Sequence, residues 1–237
     1  MPVQPTAIIT GAAGGIGSGL VEGFLEEGYR VVATSLNTGR SLIASPSLVL
    51  VDGDLGKPEI AAKVADAAIQ RFGTIDVLVN NAGIFRSKAF TDFTADDFDA
   101  LISTNLRSFV NITQLAVKQM LKQKSGNVVT ITAALADQPI TGENASISMI
   151  TKGGLNTATK SLAIEYGSEG IRFNAVAPGP VETPMHKDDP KEAYTDKQAL
   201  KTVTQVKDIV DAVLYLARAN QVTGEVLYVD GGSHAGR

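Results

Sequence analysis

Short runs of β-branched and aliphatic residues alternate along the chain with longer segments in which apolar residues recur at three- and four-residue spacing. Several of the runs are apolar at consecutive positions, which is typical of parallel strands buried on both faces, whereas the longer segments have the period of helices. Seven strands are predicted: Ala7–Thr10, Val31–Thr34, Leu48–Val51, Ile75–Val79, Asn127–Ile131, Ile171–Val176 and Glu225–Val229.

The segments between the strands predict five helices: Ile16–Glu27, Glu59–Phe72, Ala95–Lys122, Ile147–Tyr166 and Val206–Arg218. Strands that alternate with helices favour a doubly wound α/β fold, a Rossmann-like parallel sheet of about seven strands with helices on both faces. We expect residues 1–237 to form one domain. Residues 184–204 lack periodicity and are rich in Pro, Asp, Lys and Glu, which indicates a substrate-binding loop or lid.

Composition narrows the classes of function. A chain of 237 residues with 44% hydrophobic content and a net charge of −4 suits one globular domain, and its 21 Lys and Arg residues form no basic run that would bind nucleic acid. The absence of cysteine excludes disulfides, thiolate metal sites and a cysteine nucleophile. With only His186 and His234 and no carboxylate cluster, no metal site is predicted. Since neither a signal peptide nor an 18-residue apolar run is found, we expect a soluble, cytoplasmic protein with no membrane partner.

A glycine-rich turn, Thr10-Gly-Ala-Ala-Gly-Gly-Ile-Gly17, joins the first strand to the first helix. Such a turn lets a pyrophosphate approach backbone N–H groups at the positive end of a helix. Asp54-Leu55, Asn80-Asn-Ala-Gly83 and Pro178-Gly179 follow later strands, at the sheet edge where open α/β proteins bind ligands. Each motif alone has a structural explanation, such as a helix cap or a tight turn, but together they predict a dinucleotide site.

These motifs, with Ser148-Met-Ile-Thr-Lys152 and Val229-Asp-Gly-Gly232, resemble the short-chain dehydrogenase/reductase family over nearly the whole chain. The resemblance implies that the cofactor is NADP or NAD. It assigns cofactor binding to Gly11, Gly15, Ile16, Gly17, Thr34, Ser35, Asp54, Leu55, Asn81, Ala82, Gly83, Lys152, Pro178, Gly179, Val181 and Thr183.

The end of the second strand bears on the choice between the two cofactors. Ser35 stands where NAD-binding relatives carry an acidic residue, so nothing there repels a 2′-phosphate, and Thr34, Ser35, Asn37 or Arg40 could bind one. NADP is therefore favoured, although Gly14 stands where many NADP-preferring relatives have arginine.

The catalytic half of the family pattern is altered. The family's Tyr-x-x-x-Lys reads here with Ser148 in place of tyrosine, while Lys152 and Asn105 match, and the family's serine position falls near Thr132, which precedes alanines. An aliphatic hydroxyl has a pKa several units above the value of about 10 for a phenol, so Ser148 is a poor direct replacement. In our preferred hypothesis Lys152 is the acid/base and Thr132 and Ser148 bind a substrate oxygen. The alternative is that Lys152 only binds the cofactor ribose.

Weaker candidates for proton transfer are Tyr194 and His186 in the lid and Glu143 before the fourth predicted helix, each of which can equally be a solvated or covering side chain. The other tyrosines, Tyr29, Tyr166, Tyr215 and Tyr228, are predicted to be packing residues.

Three functions therefore stay open. They are an NAD(P)-dependent oxidoreductase acting on a small alcohol or carbonyl compound by an atypical proton-transfer set, a catalytically silent dinucleotide-binding protein, and a non-redox lyase or isomerase. Substrate choice is expected to depend on residues 183–203 and on Phe85, Arg86, Asp137, Gln138 and Tyr194.

The resemblance also implies a homodimer or homotetramer formed through the helices that carry Asn105 and Lys152. Their candidate interface residues are Phe109, Leu115, Ala116, Met120, Ala158, Leu162 and Ala163, which could equally be ordinary core.

Overall fold

A seven-stranded parallel sheet forms the centre of the molecule. The computed structural model describes residues 4–183, 195 and 198–236. The strands are β1 (Thr6–Thr10), β2 (Arg30–Ser35), β3 (Leu48–Asp52), β4 (Val77–Asn80), β5 (Gly126–Ile131), β6 (Ile171–Pro178) and β9 (Val226–Val229), with β7 (Val181–Glu182) and β8 (Thr204–Gln205) forming a small separate parallel pair. The order in the main sheet is β3-β2-β1-β4-β5-β6-β9, so the predicted doubly wound fold and its seven strands are confirmed.

Helices cover both faces of this sheet. They are α1 (Ile16–Glu26), α2 (Pro58–Phe72), α3 (Ala95–Leu101), α4 (Ser108–Gln123), α5 (Ser146–Tyr166) and α6 (Val206–Arg218), together with short 3₁₀ turns at Thr38–Arg40, Phe90–Asp92, Ala134–Ala136 and Gly167–Glu169. Within the described residues, none of the helices is both long and apolar enough to cross a bilayer.

The consecutive apolar residues of the central strands β1 and β4 divide between two core clusters. Ile9 and Val79 pack in one cluster with Leu20, Phe24 and Val213 of α1 and α6. Their chain neighbours Ile8 and Leu78 pack in the other with Val64, Ile112 and Met120 of α2 and α4. Since successive side chains of a strand point to opposite faces, both faces need apolar residues, and this is why the strands lack alternation.

One helix prediction is corrected. The segment predicted as a single helix from Ala95 to Lys122 is interrupted by a π-helical turn at Ile102–Arg107. At its end the Ser108 hydroxyl donates to the carbonyl oxygen of Thr104, a type of bond that competes with regular helical bonding. Such turns often occur at functional sites, and this one contains Asn105.

The predicted lid, residues 184–204, lies mostly outside the described residues, and so do His186 and Tyr194. The residues at and beside its two ends are described. Val181 pairs with Thr204 and Glu182 with Gln205, so the chain before the lid lies next to the chain after it. The amide of Leu200 also donates to the carbonyl oxygen of Gly231, at 3.0 Å.

Candidate cofactor and active site

A cleft of about 260 Å³ opens at the carboxyl ends of the strands, where the strand order reverses between β1 and β4. Open α/β sheets bind ligands at such a switch point. The cleft is lined by seven residues predicted for the cofactor and five others; the predicted ones are Gly11, Thr34, Ser35, Asp54, Leu55, Ala82 and Gly83, and the others are Leu36, Gly53, Ile84, Thr104 and Ser108.

The glycine turn between β1 and α1 has a geometry that larger residues would disrupt. Gly11 has a φ of +63°, and a Cβ on Gly17 would lie 2.0 Å from the carbonyl oxygen of Gly11. The first turn of α1 carries no side-chain cap from the part of the chain that the structure describes, and Ile16 and Gly15 are partly exposed. The backbone N–H groups at this helix end are therefore suited to bind an anion such as a pyrophosphate.

Thr10 and Asn81 fix the glycine turn against the end of β4. The Thr10 hydroxyl accepts hydrogen bonds from the amides of Asn81 and Ala82, both at 2.9 Å. The Asn81 side chain donates to the carbonyl oxygens of Thr10 and Gly11, at 2.9 and 3.1 Å. Asn81 thus binds the loop rather than presenting its Nδ2 to a ligand, and it positions the cleft walls.

The remaining predicted cofactor residues fall in two groups. Thr183 lies beside Gly15, since a Cβ built on Gly15 would be 3.6 Å from the Thr183 side chain. Gly179 is held by its amide, which donates to the carbonyl oxygen of Val229 at 3.0 Å, while Pro178 and Val181 are buried.

Thr34 and Ser35 both line the cleft but differ in exposure. Thr34 is buried, and its hydroxyl has no hydrogen-bond partner among the described residues, whereas Ser35 is partly exposed.

Lys152 and Asn105 converge on Gly83. A Cβ built on Gly83 would lie 3.1 Å from Lys152 Nζ and 3.3 Å from Asn105 Oδ1. The Lys152 ammonium donates to the carbonyl oxygen of Ile131 at 2.9 Å, which holds it at the end of β5. Burial lowers the pKa of Lys152 from 10.5 to about 8, because the charged form loses hydration. An amine with this pKa can exchange a proton near neutral pH.

Two side chains hold the extended segment after β4 by pairs of hydrogen bonds. Asn105 accepts from the amide of Ile84 at 2.8 Å and donates to its carbonyl oxygen at 3.0 Å. Arg86, two residues after Ile84, is held in the same way. The Ser148 hydroxyl accepts from the amide of Arg86 and donates to its carbonyl oxygen, both at 2.9 Å. Thr151 links the two pairs, because its hydroxyl accepts from Asn105 and donates to the carbonyl oxygen of Ser148.

The expected roles of Ser148 and Thr132 therefore need revision. Ser148 is fully buried with its hydroxyl used in both directions, and the Thr132 hydroxyl is buried and donates to the carbonyl oxygen of Val176 at 3.3 Å. Hydroxyls with these partners are not presented to a substrate oxygen. The geometry instead makes them positioning groups for the backbone beside the cleft, and the Lys152 ammonium lies next to Gly83, which lines it.

The guanidinium of Arg86 and the ammonium of Lys88 both pair with the buried carboxylate of Asp97. Asp97 also forms a capping box with Thr94 at the start of α3. The hydrogen bond from Lys88, followed by those from Thr94 and Arg86, holds the pKa of Asp97 well below its usual range. This ion-paired cluster fixes the far end of the segment that Ser148 and Asn105 hold.

Two of the four tyrosines predicted to pack do so: Tyr29 lies against Phe24 and Tyr166 against Phe173. The other two differ from the prediction. Tyr215 is 54% exposed on α6. Tyr228 donates a hydrogen bond of 2.6 Å to Asp137 and stacks on His234.

The candidate interface residues are mostly core. Ala116, Met120 and Ala163 are buried in the cluster beneath α2, α4 and α5, and Leu115 and Leu162 pack against it. The apolar residues that these helices do expose are Val110, Ile150 and Ile164.

Sequence reasoning missed several residues of the site. Thr10 could have been found, because a polar residue that ends a buried strand and precedes the glycine turn needs a partner. Thr104 and Ser108 could not, because the π-helical turn that brings them to the cleft is not visible in the apolar spacing.

A doubly wound sheet with an anion-binding glycine turn at its switch point defines a dinucleotide-binding α/β protein. The family model described as Enoyl-(Acyl carrier protein) reductase matches residues 11–234. The chain is 33% identical over 242 residues to 3-oxoacyl-[acyl-carrier-protein] reductase FabG from Thermotoga maritima, an alignment that covers 95% of this chain and 96% of that protein. The chain therefore belongs to the short-chain dehydrogenase/reductase family of NAD(P)-dependent oxidoreductases.

Solved structures give the same result. ElxO with NADP bound has a TM-score of 0.91 and 27% sequence identity, and the match covers 97% of this chain and 98% of that one. The 3-ketoacyl-(acyl-carrier-protein) reductase from Brucella melitensis complexed with NADH matches with the same score, identity and coverage. Bound NADP and NADH in these neighbours agree with the expected cofactors.

Proposed function

We propose that this protein is a carbonyl reductase that uses NADPH in preference to NADH and reduces a 3-oxoacyl thioester, with Lys152 as the proton donor. The observation that carries the proposal is the meeting of Lys152 Nζ and Asn105 Oδ1 at Gly83, beside the cleft, with the pKa of Lys152 lowered to about 8. The substrate class is taken from the curated relative, which is named a 3-oxoacyl-[acyl-carrier-protein] reductase.

The cleft suits a dinucleotide for reasons visible in its own residues. The turn at Gly11 and Gly17, which has room for glycine only, and the first turn of α1 would hold the pyrophosphate, and Leu55 and Asp54 would face the adenosine. Ser35 supports NADP because it carries no charge at the position where an acid would repel the 2′-phosphate, and Arg40 is exposed on the following turn. When bound, the nicotinamide supplies the hydride that reduces the carbonyl carbon.

The chain's own contribution is a positioned proton. As the carbonyl carbon gains the hydride, the C=O bond becomes a C–O single bond, and the Lys152 ammonium gives one proton to its oxygen. The neutral amine then recovers a proton from water, so each turnover consumes one proton and leaves an alcohol and the oxidised cofactor. Ser148, Asn105 and Thr132 hold the backbone around this point and do not themselves transfer the proton.

A titration and a turnover assay test this proposal. Wild-type protein is titrated with NADPH and NADH by fluorescence, and NADPH oxidation is then followed with acetoacetyl-coenzyme A. Lys152→Met should remove turnover and retain NADPH binding, whereas Lys160→Met, an exposed lysine on the same helix, should change neither. If Lys152→Met turns over like wild type, Lys152 is not the proton donor; if wild type binds neither cofactor, the whole proposal fails.

A second candidate is a dinucleotide-binding protein without turnover. The observation that favours it is that the hydroxyls of Ser148 and Thr132 are both committed to backbone carbonyl oxygens. This candidate predicts tight NADPH binding with no oxidation of NADPH by any carbonyl compound. Single-turnover experiments at high protein concentration separate it from a slow enzyme.

We further propose that the protein is a homo-oligomer. Val110 on α4 and Ile150 and Ile164 on α5 are exposed apolar residues on helices whose other large apolar residues are buried or partly buried. Light scattering after gel filtration measures the state, and Ile164→Glu should lower the mass if these helices form the contact.

A further inference from the structure

Asp137 connects three parts of the molecule. One of its carboxylate oxygens accepts a hydrogen bond from the Tyr228 hydroxyl at 2.6 Å and another from Asn156 Nδ2 at 2.7 Å. Tyr228 lies on the edge strand β9, and Asn156 lies on α5. Asp137 itself is in the segment between β5 and α5, which we call the β5–α5 connection, residues 132–145.

The β5–α5 connection is a wall of the active site by its position. It leaves β5 at the carboxyl edge of the sheet and enters the helix that carries Ser148 and Lys152. Asn156 stands one helical turn after Lys152, so its bond to Asp137 fixes this connection relative to the Lys152 ammonium.

Tyr228 links the β5–α5 connection to the predicted cofactor turn at Pro178 and Gly179. Its ring stacks on His234 with the ring centres 4.0 Å apart, and His234 Nδ1 lies 3.0 Å from the Asp230 carboxylate oxygens. Asp230 backs directly onto the predicted cofactor turn, because a Cβ on Gly179 would be 2.9 Å from Asp230 Cβ. A continuous set of contacts therefore runs from Gly179 through Asp230, His234 and Tyr228 to Asp137.

We propose that Tyr228 and Asp137 are positioning residues for the substrate: their hydrogen bond holds the β5–α5 connection at the distance from the cofactor turn that a bound acyl substrate requires. The proposal rests on the function proposed above. The exposed Asp137 carboxylate ties the β5–α5 connection to β9 through Tyr228, in addition to its bond to Asn156 on α5. Loss of the Tyr228 hydroxyl therefore releases the connection from β9 without removing a core side chain. The hydrogen bonds of the Asp137 carboxylate go to Tyr228 and Asn156 and not to Lys152 itself, so we expect cofactor binding and proton transfer to be retained when the Tyr228 hydroxyl is removed.

The test is Tyr228→Phe, which keeps the stacking on His234 and removes only the hydroxyl, compared with Tyr215→Phe, which alters an exposed tyrosine on α6. For Tyr228→Phe we expect KM for acetoacetyl-coenzyme A to rise about threefold to thirtyfold, the range expected for one hydrogen bond to an exposed carboxylate. The value of kcat and the Kd of NADPH should change less than twofold, and Tyr215→Phe should match wild type. Hydrogen exchange should accelerate in peptides from the β5–α5 connection and not in those from β1 or α1.

Asp137→Ala serves as a second variant. If the two residues act through one bond, the double variant should raise KM no further than the larger of the two single effects. An unchanged KM in both single variants, or a fall in kcat with KM unchanged, would overturn the proposal. Failure of wild type to bind NADPH would instead overturn the proposed function, and the exchange experiment, which needs no activity, would still decide whether the bond holds the connection.

Discussion

The hydroxyl of Ser148 forms two hydrogen bonds to one residue, accepting from the amide of Arg86 and donating to its carbonyl oxygen, both at 2.9 Å. The Ser148 side chain thus binds the backbone amide and carbonyl that a neighbouring β-strand would otherwise pair with. Asn105 binds the amide and carbonyl of Ile84 in the same way. Ser148 is fully buried, and its hydroxyl is committed to this segment.

Replacement of Ser148 by alanine should destabilise the protein. It removes both bonds to Arg86 and leaves a partly buried amide and carbonyl unpaired, which should lower the free energy of unfolding by about 1–3 kcal/mol. Urea denaturation measures the change. Ser146→Ala, at an exposed position on the same helix, is the matched control and should be within 0.5 kcal/mol, about the range of surface substitutions. Equal changes in the free energy of unfolding for the two substitutions would show that the hydrogen bonds of Ser148 do not stabilise the fold.

Replacement of Ser148 by tyrosine should not create an efficient reductase. The Ser148 side chain is fully buried against Arg86, so a phenol ring must displace the segment that Asn105 and Ser148 hold, at a cost of about 1–3 kcal/mol. We expect a lower melting temperature and turnover no higher than wild type. A large gain of NADPH oxidation over an inactive parent would favour the silent dinucleotide-binding protein as the native function.

The rate of carbonyl reduction should fall as the pH rises above about 8. Burial lowers the pKa of Lys152 to about 8, so the ammonium that donates the proton is lost above that pH. A plot of log kcat against pH should be flat below the pKa and decline with a slope near −1 above it. The oxidation of the alcohol product, which needs the neutral amine, should show the opposite dependence. A pH-independent rate from pH 6 to about 10 would exclude Lys152 as the donor.

Replacement of Gly17 by alanine should abolish cofactor binding and destabilise the fold. The added Cβ would lie 2.0 Å from the Gly11 carbonyl oxygen, so the turn must open, at a cost of about 1–3 kcal/mol or more. Gly14→Ala is the control in the same turn, because a Cβ there meets nothing within 4 Å. NADPH titration and thermal melting measure both variants, and similar Kd values for the two would contradict the assigned pyrophosphate site.

Replacement of Asp97 by asparagine should remove stability that depends on pH. The hydrogen bonds from Lys88, Thr94 and Arg86 lower the pKa of Asp97 in the folded state below its ordinary value of 3.8. A carboxyl group with a depressed folded pKa contributes stability that is fully present above the unfolded value and is lost as the pH falls toward the folded one.

The difference in urea midpoint between wild type and Asp97→Asn should therefore be largest near pH 7 and shrink below about pH 4. Asp96→Asn, which alters the exposed neighbour of Asp97, should show no such pH-dependent difference. A difference that is constant from pH 7 to about pH 3 would contradict the role of the Asp97 charge.

Much of the fold was predictable because strand and helix periodicity are local properties. The strands β1 to β6 and β9 and the helices α1, α2, α5 and α6 lie within a few residues of the predicted segments, since each is defined by apolar residues at its own spacing. The break in the helix from Ala95 to Lys122 was not predictable, because a π-helical turn inserts one residue into a helix whose apolar pattern continues on both sides.

The cofactor half of the site was also largely predictable. Gly11, Asp54, Leu55, Ala82 and Gly83 all line one cleft, since residues that follow parallel strands come together at one sheet edge. Hydrogen bonding could not be predicted in the same way. Asn81 binds the glycine turn instead of pointing its amide at a ligand.

The sequence by itself determined the class of the sheet, the place of the glycine turn and the identity of the residues at positions 105, 148 and 152, because these depend on local period and on motif spacing. Only the tertiary structure decided what those residues do. Whether the Ser148 hydroxyl reaches a substrate or holds the chain depends on the segment around Arg86, 62 positions away in sequence, which packs against it. The lowered pKa of Lys152 likewise arises from burial among residues of β5, Gly83 and the π-helical turn, and no local pattern encodes that burial.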